Sequence, residues 1–220
     1  MARSLAAKIT AKEDLAPHVV QVTVAFEEGK LDFAPGQYCT FVFSDHTVRA
    51  YSVASAPQRP SAIQLCVRVG SGRGSQAIDH LDVGETLRVE GPFGNFSVPA
   101  GDGPVTFIAG DTGIAPVRSM ILDLVATRNP RPVKVLFEPY DSVLLYERDL
   151  APLARAGRIG YETGSVDDLV GRNRDAIAKS VVRVSGYEPF LVKVKGIFAA
   201  AGLEPEAQFE SFGHLPEPAG

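Results

Sequence analysis

The chain has 220 residues, with 22 Lys and Arg against 26 Asp and Glu, so its formal charge is −4. That balance excludes a general nucleic-acid surface, which needs a basic excess. No apolar run reaches the roughly 18 residues of a membrane-spanning helix, so no membrane span is expected. Hydrophobic residues at 45% and charged residues at 22% fit a folded chain of one large domain or two smaller ones. The first ten residues, MARSLAAKIT, lack the apolar core of a secretion signal, and a cytoplasmic location is expected. Cys39 and Cys66 have no short metal-site spacing and are expected to be buried, reduced thiols. His18, His46, His80 and His214 are scattered without ligand spacing, so no metal site is assigned.

The first half has strand periodicity. Residues 18–26, HVVQVTVAF, alternate so that Val20, Val22, Val24 and Phe26 share one face. Further strands are expected at 36–43, 47–55, 62–69 and 85–90, each rich in Val, Phe, Tyr or Thr and separated by Gly or Pro. That spacing predicts an antiparallel barrel or sandwich. A short helix is expected at 75–81 and a loop at 91–94. The run PAGDGP at 99–104 is the expected linker, placing one domain at 1–100 and a second at 104–220.

At mid-chain an apolar run, Val105, Phe107, Ile108 and Ala109, meets a turn bearing Gly110 and Gly113. A helical spacing follows at Ile114, Val117, Ile121, Leu122 and Val125. This is strand–turn–helix, the opening of a βαβ unit. The two glycines are expected to adopt backbone angles closed to other residues and to admit a phosphate. Pro116 suits the first turn of the helix, whose free N–H groups favour an anion. Beyond it, strands are expected at 133–137, 158–161, 181–185 and 207–212, and helices at 147–155, 173–179 and 189–201. Alternating β and α predicts a parallel sheet covered on both faces, with ligands at the carboxyl ends of its strands. Gly110, Glu138, Ser185 and Glu210 lie at or near such ends.

Two places in the first half have the chemistry of phosphate sites. Arg49 and Tyr51 share a strand face, where they can hold a phosphate and cover a flat ring; a surface Arg packed on a Tyr is the plain alternative. Gly72, Arg73, Gly74 and Ser75 lead into a helix and offer backbone N–H groups and a hydroxyl, or serve as an ordinary helix cap.

Taken in order, these stretches resemble the ferredoxin–NADP reductase-like flavoproteins over nearly the whole chain. RAYS at 49–52 is similar to that family's flavin motif, VRVGSGRGS at 67–75 to its ribityl and pyrophosphate segment, and EGPFGNF at 90–96 to its barrel exit loop. AGDTGIAP at 109–116 resembles its nucleotide-domain turn, SGYEPF at 185–190 its Cys-Gly-Pro segment, and FESFG at 209–213 its acidic-aromatic ending. The resemblance implies a β plus α/β fold: an antiparallel Greek-key flavin-binding β-barrel followed by a Rossmann-like parallel-sheet nucleotide domain. It implies bound FAD and a nicotinamide nucleotide, NADH or NADPH.

Carried over residue by residue, the resemblance assigns Arg49, Ala50, Tyr51 and Ser52 to the flavin. Arg49 would pair with its phosphates, Tyr51 pack on the ring and Ser52 bond near N5. It also assigns the backbone of Val67 and Arg68 to the flavin, Gly74 and Ser75 to the pyrophosphate, and Thr112 to the flavin edge. Gly110 and Gly113 fall to the nucleotide turn. Ser52, Ser185 and Glu210 are the implied catalytic residues. A strict strand would put Ser52 opposite Tyr51, so the strand is expected to bend or end there. Asp111, Ser185 and Tyr187 depart from the family pattern, as does Glu138-Pro139-Tyr140 where many members have Gly-x-Arg.

The implied function is transfer of electrons between a nicotinamide nucleotide and a separate redox protein or small-molecule acceptor. The alternative is a non-catalytic flavin-binding electron-transfer or interaction subunit. NADH is favoured over NADPH: Glu138 follows the second strand of the α/β half, where a carboxylate accepts ribose hydroxyls, and no basic residue lies between Lys134 and Arg148.

Overall fold

The computed structural model describes residues 3–43, 47–70, 78 and 80–212. Among them, the first half forms one antiparallel sheet of β1 (Arg3–Ala16), β2 (Val19–Phe26), β3 (Tyr38–Val42), β4 (Val48–Ser52), β5 (Ala62–Arg68) and β6 (Thr86–Phe93). The spatial order is β4-β3-β6-β1-β2-β5. Val53, just past β4, bridges Leu65 in β5, which brings the two outer strands together and closes a barrel. Consecutive strands β2 and β3 are not neighbours, so the connection crosses the barrel end in Greek-key fashion.

The alternation read from the sequence sets which side chains enter the barrel. Val20, Val22, Val24 and Phe26 join Ile9, Phe41, Ile63, Leu65 and Val89 in one buried cluster. Burying each such side chain contributes about 1.5–3 kcal/mol. Strand β1 was not expected, because Ala and charged residues make up most of its 14 residues. Its pairing along both edges, with β2 and β6, overrides that weak preference. Strand β6 also runs on to Phe93, so most of the expected 91–94 loop is strand. Of the helix expected at 75–81, residues 75–77 and 79 lie outside the described residues, as do Gly74 and Ser75 of the expected phosphate segment.

The second half forms a parallel sheet of β7 (Val105–Gly110), β8 (Val133–Glu138), β9 (Gly160–Thr163), β10 (Val181–Gly186) and β11 (Ala207–Ser211), ordered β11-β10-β7-β8-β9. One turn of 3-10 helix, Asp111–Gly113, leads into α1 (Ile114–Ala126), with Pro116 in the first turn. The remaining helices are α2 (Glu147–Arg155), α3 (Val166–Arg172), α4 (Arg174–Ala178) and α5 (Glu188–Ala201). Helix α3 was not expected; it is seven residues long and is started by Ser165, whose hydroxyl accepts from Asp168 N.

Strand β7 is buried throughout and feeds both faces. Phe107 and Ala109 pack with α1 and α2, through Ile114, Val117, Ile121 and Leu150. Ile108 packs with α3, α4 and α5, through Val166, Leu169, Ile177 and Phe190.

The two sheets are not merely tethered. Val19, Ala54, Cys66 and Phe96 of the first half belong to the same apolar cluster as Phe107, Ile114 and Val117. The connecting segment is pinned as well: Arg131 donates to Pro99 O and Gly103 O, both at 2.9 Å, and Arg183 donates to Ser97 O at 2.5 Å. No helix among the described residues is long and apolar enough to cross a membrane.

Candidate functional site

Parallel sheets bind ligands at the carboxyl ends of their strands, and here the barrel leans against that end. Arg68, the last residue of β5, reaches Asp111, the first residue after β7. Its Nε donates to Oδ2 at 2.7 Å and an Nη to Oδ1 at 2.5 Å. The ring of Tyr140, in the turn after β8, lies 4.6 Å from the Arg68 guanidinium carbon. Three connections therefore converge: the end of β5, the turn after β7 and the turn after β8.

On the barrel side, the cross-strand partners of Arg49 and Tyr51 are Phe41 and Cys39, so the two residues share a face as expected. Arg49 and Ala50 are exposed, and Arg49 donates to Val48 O. Tyr51 packs on the Phe41 ring at 5.7 Å, and burial pushes its phenol up to about 12. Strand β4 ends at Ser52, as expected, but Ser52 still pairs in register with Tyr38, so its side chain leaves the face opposite to that of Tyr51. Ser52 is only 5% exposed, and its Oγ has no hydrogen-bond partner among the described residues. An orphaned buried hydroxyl costs about 1–3 kcal/mol, and a polar ligand atom at that point would relieve it. Val67 points into the barrel core.

On the sheet side, one expectation is corrected. Gly110 and Gly113 do not adopt unusual backbone angles; their φ values are −114° and −57°. They are small because they are crowded. A Cβ on Gly110 would lie 2.7 Å from the Phe190 ring, and one on Gly113 would lie 2.4 Å from Ser185 O. The positive φ of this turn falls instead on Asp111, at 51°. Thr112 is half-buried between them.

Ser185 is fully buried and donates from Oγ to Gly113 O at 2.7 Å, so its hydroxyl ties β10 to the turn. Glu210 sits beside Ser185 in the β10–β11 register, half-buried, and burial raises its carboxyl above the ordinary range. Ser185 and Glu210 are thus brought together, whereas Ser52 hydrogen-bonds to neither. Glu138 Oε2 accepts from Val166 N at 2.5 Å, starting α3, and from Lys193 Nζ at 3.2 Å. Lys193 also meets Asp167 at 2.9 Å.

The sequence reading did not foresee Lys193 beside Glu138, nor the side-chain role of Arg68. Each pairing joins residues far apart in the chain, and no local spacing announces it. The two thiols are buried, and burial pushes both up to about 12, which disfavours the thiolate.

Residues 6–98 match the family described as oxidoreductase FAD-binding domain. Ferredoxin–NADP reductase B of Sorangium cellulosum is 34% identical over 164 residues, covering 71% of this chain and 67% of that protein. The chain belongs to the ferredoxin–NADP reductase-like flavoproteins. Another relative, the reductase component of propane 2-monooxygenase from Mycolicibacterium smegmatis, is 31% identical over 212 residues. That match covers 84% of this chain and 61% of that protein, so the chain spans about three-fifths of the relative's length. Among solved structures, the cytochrome P450 reductase GcoB of Amycolatopsis superposes with a TM-score of 0.83 at 21% identity. It covers 96% of this chain and 70% of that one, a likeness of fold.

Proposed function

We propose that this chain is an FAD-dependent oxidoreductase that takes electrons from a nicotinamide nucleotide and passes them to a separate redox protein or small-molecule acceptor. The observation that carries the reading is the buried Ser52 hydroxyl, without a hydrogen-bond partner among the described residues, at the end of the RAYS strand in a segment that matches an FAD-binding family. Relatives named as reductase components of oxygenase systems support the separate acceptor.

Bound FAD would supply hydride acceptance and the change from two-electron to one-electron transfer. The chain's own residues position and shield it. Arg49 would hold phosphate and Tyr51 would cover one ring face; Gly74 and Ser75, outside the described residues, are the expected pyrophosphate ligands. Ala50, Val67 and Arg68 line the site through the backbone, and Thr112 closes it from the second sheet. Gly110 and Gly113 let β7, β10 and Phe190 pack closely enough to hold that turn. Ser185 acts as a positioning residue through Gly113 O rather than by free contact. Glu210, with its raised carboxyl, keeps a proton to higher pH than an exposed Glu and suits proton donation beside the reacting face.

NADH remains the favoured nucleotide. Lys193 brings a cation to the end of β8, but Glu138 and Asp167 both pair with it, leaving two carboxylates to one ammonium. Such a site accepts ribose hydroxyls and repels a 2′-phosphate.

Anaerobic addition of NADH to flavin-loaded protein should bleach the visible flavin absorbance, with kcat/KM higher for NADH than for NADPH. A preference for NADPH of tenfold or more overturns the nucleotide assignment. No bleaching by either nucleotide overturns the enzymatic reading in favour of an electron-transfer subunit. Ser52→Ala should slow flavin reduction in stopped flow at least tenfold, a barrier change of about 1.4 kcal/mol. An unchanged rate removes Ser52 from the mechanism.

A further inference from the structure

The Arg68–Asp111 pair is built unlike a surface salt bridge. Both carboxylate oxygens of Asp111 are held by one guanidinium, and the side chains are only 13% and 3% exposed. Tyr140 covers the guanidinium. Asp111 also adopts a φ of 51°, a region that favours glycine, so the chain accepts a backbone disadvantage to place a carboxylate there. The position is the carboxyl end of the central strand of the parallel sheet, in front of α1, where a ligand of such a sheet arrives. An Arg fork that fits a carboxylate fits a phosphate in the same way.

We propose that Asp111 is a resident anion that occupies Arg68 in place of a nucleotide phosphate and so sets the affinity of the site for the nicotinamide nucleotide. The inference rests on the reading above that this end of the sheet receives that nucleotide. A pyrophosphate reaching β7 competes with Asp111 for one guanidinium. Either Arg68 stays with Asp111 and the phosphate meets a carboxylate, or Arg68 turns to the phosphate and leaves a nearly buried carboxylate unpaired. Both outcomes weaken binding and hasten release. Removing the carboxylate frees Arg68 for the phosphate without adding any new contact.

The test is calorimetric titration of flavin-loaded protein with NAD⁺ and, separately, with inorganic pyrophosphate. Asp111→Gly, which suits the positive φ, and Asp111→Asn, which keeps the side-chain shape, should each bind both ligands at least tenfold more tightly than wild type. Arg68→Lys, which loses the fork, should bind NAD⁺ several-fold more weakly. Affinities within threefold of wild type in the Asp111 variants, or an unchanged affinity in Arg68→Lys, overturn the proposal; if the Asp111 variants do not fold, Arg68→Lys decides. Wild-type flavin reduced by NADH together with unchanged affinities overturns only this inference. Wild-type flavin that is not reduced, with no NAD⁺ binding in any form, overturns the nicotinamide reading and this proposal with it.

Discussion

Arg118→Ala should lower the melting temperature by about 6–12 °C, which for a chain of this size corresponds to a loss of about 3 kcal/mol. Arg118 projects from α1 into the junction and is 9% exposed. It donates to Ala54 O at 2.8 Å and to Gln64 Oε1 at 2.9 Å on the barrel side, and to Asp149 Oδ2 at 2.6 Å on the sheet side. Its guanidinium carbon lies 4.4 Å from the centre of the Tyr146 ring. Truncation leaves the carbonyl of fully buried Ala54 without its donor, at about 1–3 kcal/mol. It also removes the packing of the side-chain stem.

Asp149, at 36% exposure, regains water, so Asp149→Asn should cost less than about 1 kcal/mol. Scanning calorimetry of the two variants checks the pair. An Arg118→Ala midpoint within 2 °C of wild type would show that the junction does not depend on this residue. The effect reaches the proposed flavin site by a short path. Ala54 O, and Ser55 O held by Ser119 Oγ at 2.7 Å, lie two and three residues beyond Ser52.

Arg49→Ala should weaken flavin binding about 10- to 100-fold, the loss of one charge-assisted contact of about 1.5–3 kcal/mol. Arg49 is exposed on β4 and lies outside all three apolar clusters. Its removal should therefore change the stability of the flavin-free protein by no more than about 0.5 kcal/mol. That separation makes the measurement clean: flavin titration of the apoprotein, followed by fluorescence quenching, beside a thermal melt of the same sample. Cofactor released by heat from the wild type should run with FAD rather than FMN. A dissociation constant within threefold of wild type would remove Arg49 from the phosphate site, and released FMN would overturn the dinucleotide assignment.

Much of the fold was legible because its determinants are local. The alternation at 18–26 sets which side of β2 enters the barrel, since successive side chains on a strand point to opposite faces. Helix α2 was expected at 147–155 and is observed there. Strand β1 was not legible, because Ala and Lys carry no strand signal and the pairing that makes it a strand comes from β2 and from β6, which lies more than 70 residues further along. The glycines of the central turn were visible as glycines, but their reason was not: Phe190 and Ser185, which crowd them, are about 75 residues away in the chain.

The site divides along the same line. The sequence alone determined the family, the barrel-then-sheet order, and the residues of the RAYS strand, because short motifs specify strand, turn and side-chain chemistry within a few residues. Only the tertiary structure decided how charges are disposed among them. Asp111 read in isolation opposes a pyrophosphate; folded, it is matched by Arg68 from the other sheet. Glu138 read in isolation faces no cation; folded, it meets Lys193 of α5. Ser185 read in isolation is a strand-end hydroxyl that the resemblance assigns to catalysis; folded, it donates to Gly113 O. Electrostatic and hydrogen-bond partners act over a few ångströms of space regardless of distance along the chain, so they become readable only once the two sheets have met.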